Sequence, residues 1–128
     1  RDAEPIHFAA QVTTQLSAMY GGIVYVTSRP KEAQLVTRAW LRKYGFPVGE
    51  VIFCSREEKV KVNLEKKPAL IAEDDPLVIK GLKHLGVPIL VYQWDYNAHL
   101  KGDRIVPVRS WKQIGLFGGE MAYGQTLR

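Results

Sequence analysis

The sequence predicts an α/β domain with a mainly parallel sheet. Two observations carry that reading. Short apolar runs rich in β-branched residues alternate with stretches whose apolar residues recur at helical spacing. Glycines and polar clusters stand at the junctions between them. Strands that alternate with helices are joined by crossovers, which give parallel pairing with helices packed on the sheet faces.

Residues 7–20 read as a helix, with Phe8, Val12, Leu16 and Met19 at helical spacing and Gly21-Gly22 to end it. Residues 23–26 are an apolar, β-branched strand. The polar turn Thr27-Ser28-Arg29-Pro30 follows. Pro30 can open a helix because its missing N–H costs nothing at a helix start. That helix is expected over residues 31–44, with Leu35, Val36, Ala39 and Trp40 on one face and Gly45 as its stop. Residues 51–54 form a second strand, and the polar residues 56–65 hold a short helix. Residues 69–72 form the third strand, ending at Glu73-Asp74-Asp75-Pro76. Val78, Leu82 and Leu85 mark a helix that stops at Gly86. Residues 88–92 and 105–108 are the last strands, and Ser110 can cap a final helical turn over 111–114. The glycine-rich stretch 115–128 shows no period and is expected to be irregular or to dock on a neighbour.

A chain of 128 residues is expected to be one domain spanning 1–128. No apolar run nears the roughly 20 residues of a membrane span, so no membrane partner is expected. The segment Arg1-Asp2-Ala3-Glu4-Pro5 has no signal-peptide character, and it lacks an initiator Met, as a trimmed or incomplete end would. The single cysteine, Cys54, cannot form an internal disulfide, which fits a reducing, cytoplasmic setting. Its apolar surroundings read as packing rather than nucleophilic chemistry. The net charge of +5 fits an anionic partner, either a phosphorylated small molecule or nucleotide or a nucleic acid, but it does not demand one, because basic residues spread over a solvated surface account for it.

Open parallel sheets bind ligands beyond the carboxyl ends of their strands. Two such ends are polar here, Thr27-Ser28-Arg29 and Glu73-Asp74-Asp75. Adjacent carboxylates repel each other, and Mg²⁺ suits carboxylate oxygens. A hydroxyl such as Thr27 can donate to a phosphate oxygen, and a lysine can neutralise another. Asp74-Asp75-Pro76 can equally cap the helix that follows it. His7, His84 and His99 lack metal-ligand spacing, and no Ser-His-Asp or Cys-His arrangement can be read.

The order of these motifs resembles that of the haloacid dehalogenase (HAD) superfamily of phosphohydrolases. Val24-Tyr25-Val26-Thr27-Ser28-Arg29-Pro30 is similar to its second motif, a strand ending in Thr or Ser. Thr37-Arg38-Ala39-Trp40-Leu41 with Tyr44-Gly45-Phe46-Pro47 resembles the helix and turn that follow it in small-cap members. Lys59, with Lys61 as second choice, resembles the phosphate-neutralising lysine of the third motif. Leu70-Ile71-Ala72-Glu73-Asp74-Asp75-Pro76 resembles the fourth, whose acids hold Mg²⁺. The resemblance implies a Rossmann-like, three-layer α/β/α fold. It also implies Mg²⁺ on Asp74 and Asp75, phosphate on Thr27 and Lys59, and substrate contacts from Ser28 and Arg29. The implied activity is that of a phosphatase or nucleotidase acting on a phosphomonoester.

One part of the family pattern is absent. The first motif is an Asp-x-Asp at the end of a central strand, and this sequence contains no Asp-x-Asp. Asp2 does not follow a strand, and Asp95 and Asp103 lie after the fourth. The resemblance therefore implies that an upstream segment or a partner chain supplies a central strand. The alternative is a non-catalytic relative that contacts nucleic acid or protein, a role suited to aromatics such as Trp94, Tyr96 and Trp111. The third strand also looks like the opening of a two-component receiver domain, but too few residues follow Asp75 to complete one.

Overall fold

The computed structural model describes residues 8–126, and of residues 122–126 the backbone alone. It is α/β, with every strand pairing parallel, as the alternation of runs requires. In chain order the elements are α1 (Ala9–Tyr20), β1 (Val24–Thr27), a 3-10 turn (Lys31–Ala33), α2 (Gln34–Lys43), β2 (Glu50–Phe53), α3 (Arg56–Lys66), β3 (Ile71–Glu73), α4 (Pro76–Leu82), β4 (Ile89–Tyr92), β5 (Ile105–Val108) and α5 (Trp111–Thr126). The chain forms two compact units. One runs up to Cys54 and resumes at Trp111, and the other is Ser55–Ser110.

In the first unit β1 pairs with β2, Val24 opposite Glu50 and Thr27 opposite Phe53. The carbonyl of Thr27 accepts the N–H of Cys54 at 3.0 Å and extends the ladder by one bond. Gly21 ends α1 with φ 79°, a left-handed conformation that glycine adopts without strain. Two expectations are corrected in this unit. Leu35 and Val36 are 82% and 57% exposed, and the buried residue of α2 is Thr37. The 3-10 turn occupies residues 31–33, so α2 starts three residues later than expected, and Trp40 packs on Tyr44 and Phe46, at 5.2 and 5.3 Å between ring centres.

The second correction concerns residues 115–126, which are helical and not irregular. Ile114, Gly115 and Gly118 are buried, a helical stripe in which glycine stands where a larger apolar residue would be expected. A Cβ on Gly115 would lie 3.2 Å from a Val12 methyl, so the absent side chain lets α5 approach α1 closely. The Tyr20 hydroxyl donates to the Gly118 carbonyl at 2.8 Å and joins the same two helices.

In the second unit the strand order is β3-β4-β5. Ile71 lies opposite Ile89, and Ile89 opposite Ile105, so the β-branched residues of three strands meet in one row. Ile71, Ile89 and Val91 pack with Val78, Ile79 and Leu82 of α4, and Val60 of α3 joins from the side. β4 is the central strand, and Ile89, Leu90 and Val91 are all buried, as expected of a parallel strand covered on both faces. β3 stands at the edge, and its middle residue, Ala72, is exposed.

Candidate functional site

The polar end of β3 is organised by its own first carboxylate. Glu73 folds back so that Oε2 accepts the backbone N–H groups of Asp74 and Asp75, at 3.1 and 3.2 Å. Its other oxygen faces Lys59 Nζ at 3.6 Å, and the two side chains are only 13% and 12% exposed. Lys59 reaches this position because of how α3 begins. Ser55 accepts the N–H of Glu58 at 3.1 Å, and Glu58 returns a bond to the N–H of Ser55 at 2.8 Å. This reciprocal capping box fixes the first turn, and Lys59 follows directly, its N–H on the Ser55 carbonyl.

Asp75 is the N-cap of α4. Its Oδ1 accepts the N–H of Leu77 at 3.0 Å, and Pro76 occupies the first turn. Arg56 grips the same carboxylate with both arms, Nε to Oδ2 at 2.6 Å and Nη2 to Oδ1 at 2.7 Å. That planar, bidentate geometry is the strong form of the pair. The Arg56 hydrogen bond holds the Asp75 carboxyl below its ordinary value, burial pushes it the other way, and the Leu77 N–H adds to the lowering. Arg56 and Leu77 take three of the lone-pair positions of the Asp75 carboxylate, so a metal ion there would compete with them.

Asp74 is placed differently. Its Oδ2 accepts the Tyr96 hydroxyl at 3.0 Å, and its carbonyl accepts Asn97 Nδ2 at 2.8 Å. Asn97 is 2% exposed and also donates to the Tyr92 carbonyl at 3.0 Å, while its Oδ1 accepts the Trp94 N–H at 2.9 Å. One buried amide thus ties the loop after β4 to the Asp74 turn. Burial, the bond to Asp74 and the charges of all three acids keep the Tyr96 hydroxyl protonated beyond the usual tyrosine range. Trp94 and Tyr96 remain 45% and 54% exposed, and Trp94 lies 5.4 Å from Tyr92 between ring centres.

Thr27, Ser28 and Arg29 belong to the first unit. Thr27 Oγ1 accepts the N–H of Arg29 at 3.2 Å, a local turn that leaves the hydroxyl proton for another acceptor, and Ser28 and Arg29 are exposed. The sequence reading singled out Lys59, Asp74 and Asp75 but not Arg56 or Asn97. A signal for α3 was present in the Ser55-x-x-Glu58 spacing, and the Asp95-Tyr96-Asn97 run is turn chemistry. Pairing across 19 residues, as in Arg56 with Asp75, has no local signal.

Among the described residues no group of three or more His, Cys, Asp or Glu side chains is gathered to hold a metal. Mg²⁺ does not require such a cage, because it keeps several waters and binds through one or two carboxylates. Asp74, which leaves Oδ1 without a protein partner among the described residues, fits that requirement, with Glu73 beside it. No described helix is long and apolar enough to cross a membrane.

The chain is similar to two proteins with a common designation. One, a Bacillus cereus protein named "Putative nucleotidase", is 36% identical over 116 residues, which are 87% of this chain and 59% of the relative. Another from Oceanobacillus iheyensis, also named a "Putative nucleotidase", is 29% identical over 96 residues, 73% of this chain and 51% of the relative. The chain therefore spans between half and three-fifths of the length of these relatives. No protein-family model matches the chain, and no solved structure does.

Proposed function

We propose that this chain is the phosphate- and metal-binding part of a phosphomonoesterase that acts on nucleotides. The observation that carries the reading is the pairing of a nearly covered Lys59 with Glu73 at the end of a parallel strand, where such sheets bind ligands. The two similar proteins with nucleotidase names support it.

In this reading Lys59 gives up part of its contact with Glu73 to neutralise a phosphate oxygen. Asp74, steadied by Tyr96 and Asn97, would hold Mg²⁺ with Glu73, mostly through water. When bound, the ion supplies positive charge against the phosphoryl oxygens. Asp75 acts at one remove, because its bonds to Arg56 and Leu77 set the turn that presents Asp74. The overall reaction consumes water and converts a phosphomonoester into an alcohol and phosphate. The carboxylate that accepts the phosphoryl group in the resembled superfamily is not encoded in residues 1–128, and a strand from outside them supplies it.

Calorimetric titration with Mg²⁺ tests the metal assignment. Asp74→Asn should abolish binding, whereas Asp75→Asn should weaken it only modestly. Equal affinity in wild type and Asp74→Asn would reduce the acids to helix-capping groups and leave a binding role for the chain. Phosphate titration of Lys59→Ala tests the anion site, and unchanged affinity would remove Lys59 from it.

A further inference from the structure

We propose that Trp94 and Tyr96 form a stacking platform for the base of a nucleoside monophosphate, a refinement that rests on the phosphate site proposed at Lys59. Both rings are about half exposed, although aromatic surface left in water forgoes burial energy. Tyr96 stands beside the candidate site, and Trp94 is tied to it through Asn97, which accepts the Trp94 N–H and donates to the Asp74 carbonyl. The Tyr96 hydroxyl is 3.0 Å from Asp74 Oδ2, the Asp74 N–H is 3.1 Å from Glu73 Oε2, and Glu73 Oε1 is 3.6 Å from Lys59 Nζ. The line from ammonium to aromatic ring runs from a charge that attracts phosphate to a surface that attracts a base.

The platform is also fixed in place. Asn97, buried and bonded to Trp94, Tyr92 and Asp74, holds the loop against the site, and Tyr92 supports the Trp94 ring. A surface ordered before the ligand arrives loses less entropy on binding. Stacking on aromatic rings tolerates any base, because every base has a π-face. The geometry therefore assigns a broad nucleotide preference over plain sugar phosphates.

Titration of residues 1–128 in Mg²⁺ buffer with AMP, adenosine, ribose 5-phosphate and inorganic phosphate tests this, read by calorimetry and tryptophan fluorescence. AMP should bind at least about tenfold more tightly than ribose 5-phosphate. Trp94→Ala should weaken AMP by roughly tenfold and leave ribose 5-phosphate unchanged, and Trp94→Phe should restore most of the loss. Unchanged ribose 5-phosphate affinity also reports that the variants are folded. Lys59→Ala should weaken all three phosphate-bearing ligands and leave adenosine alone.

Equal affinities for AMP and ribose 5-phosphate, or AMP binding indifferent to Trp94→Ala, overturn the platform. The phosphate site then still stands if Lys59→Ala weakens all three phosphate-bearing ligands. Adenosine binding that depends on Trp94, with no contribution from phosphate, supports the platform and overturns the phosphohydrolase reading. No binding by any of the four overturns the platform.

Discussion

Two acids adjacent in sequence take different roles because their neighbours differ. Asp75 is committed to Arg56 and to the start of α4, and its carboxyl is held below its ordinary value of 3.8. A lowered carboxylate contributes stability that is fully present above its unfolded value and is lost as pH falls through the folded one. Asp75→Asn, which can still cap the helix, should therefore unfold at lower temperature than wild type at pH 7. The two melting temperatures should converge below the folded-state value, and a gap that persists in acid would assign the loss to geometry rather than charge. Asn97 has a larger local task. Replacing it with Ala strands the Trp94 N–H and leaves the Asp74 and Tyr92 carbonyls short of a donor, so Asn97→Ala should cost about 2–3 kcal/mol in denaturant titration. A loss below about 0.5 kcal/mol would mean that water replaces the amide at once. Asp74 and Asp75 could be read from the sequence as a polar strand end, but their division of labour could not. It depends on Arg56 and Tyr96, which are 19 and 22 residues away from their partners.

At the scale of elements, the strands were legible because β-branched runs leave little choice, and β5 spans the expected residues 105–108. The helix α5 was not legible, because glycines at 115, 118, 119 and 124 each disfavour helix locally. Packing against α1 overrides that preference, and the missing side chains are what permit the approach. The same logic holds between α3 and α4. A Cβ on Gly81 would sit 2.6 Å from one Val60 methyl and 3.3 Å from the other, so Val60 must shift to make room. Helix propensity alone favours Gly81→Ala by about 1 kcal/mol. Overpacking costs roughly 1–3 kcal/mol. Gly81→Ala should therefore destabilise the protein on balance, and Gly81→Ala with Val60→Ala should be more stable than the two single losses add to. Urea unfolding of the four-variant cycle measures that coupling, and simple additivity would show that the two helices separate at no cost.

For the molecule as a whole, the proposed phosphohydrolase reading requires a carboxylate to receive the phosphoryl group. The sequence contains no Asp-x-Asp. β3 pairs with β4 on one side and with no strand on the other among the described residues, and Ala72 in its middle is exposed. An edge strand leaves a row of backbone N–H and C=O groups unpaired, so the edge of β3 is a place where an added strand gains backbone hydrogen bonds. A strand ending in Asp-x-Asp that pairs there would set its carboxylates beside Asp74 and Lys59. Without a nucleophile, positioning and electrostatics leave on the order of a thousandfold acceleration, by analogy with serine proteases stripped of theirs. Against the very slow uncatalysed hydrolysis of a phosphate monoester, such a remainder is not measurable in an ordinary assay. Residues 1–128 alone should therefore release no phosphate from an aryl phosphate or from AMP with Mg²⁺ present. A longer polypeptide, or a mixture with a segment carrying an apolar strand and Asp-x-Asp, should gain turnover that Asp→Asn at the first of those acids removes. Robust Mg²⁺-dependent turnover by residues 1–128 alone, abolished by Asp75→Asn, would overturn this argument, because one of the chain's own acids would then be carrying the phosphoryl group.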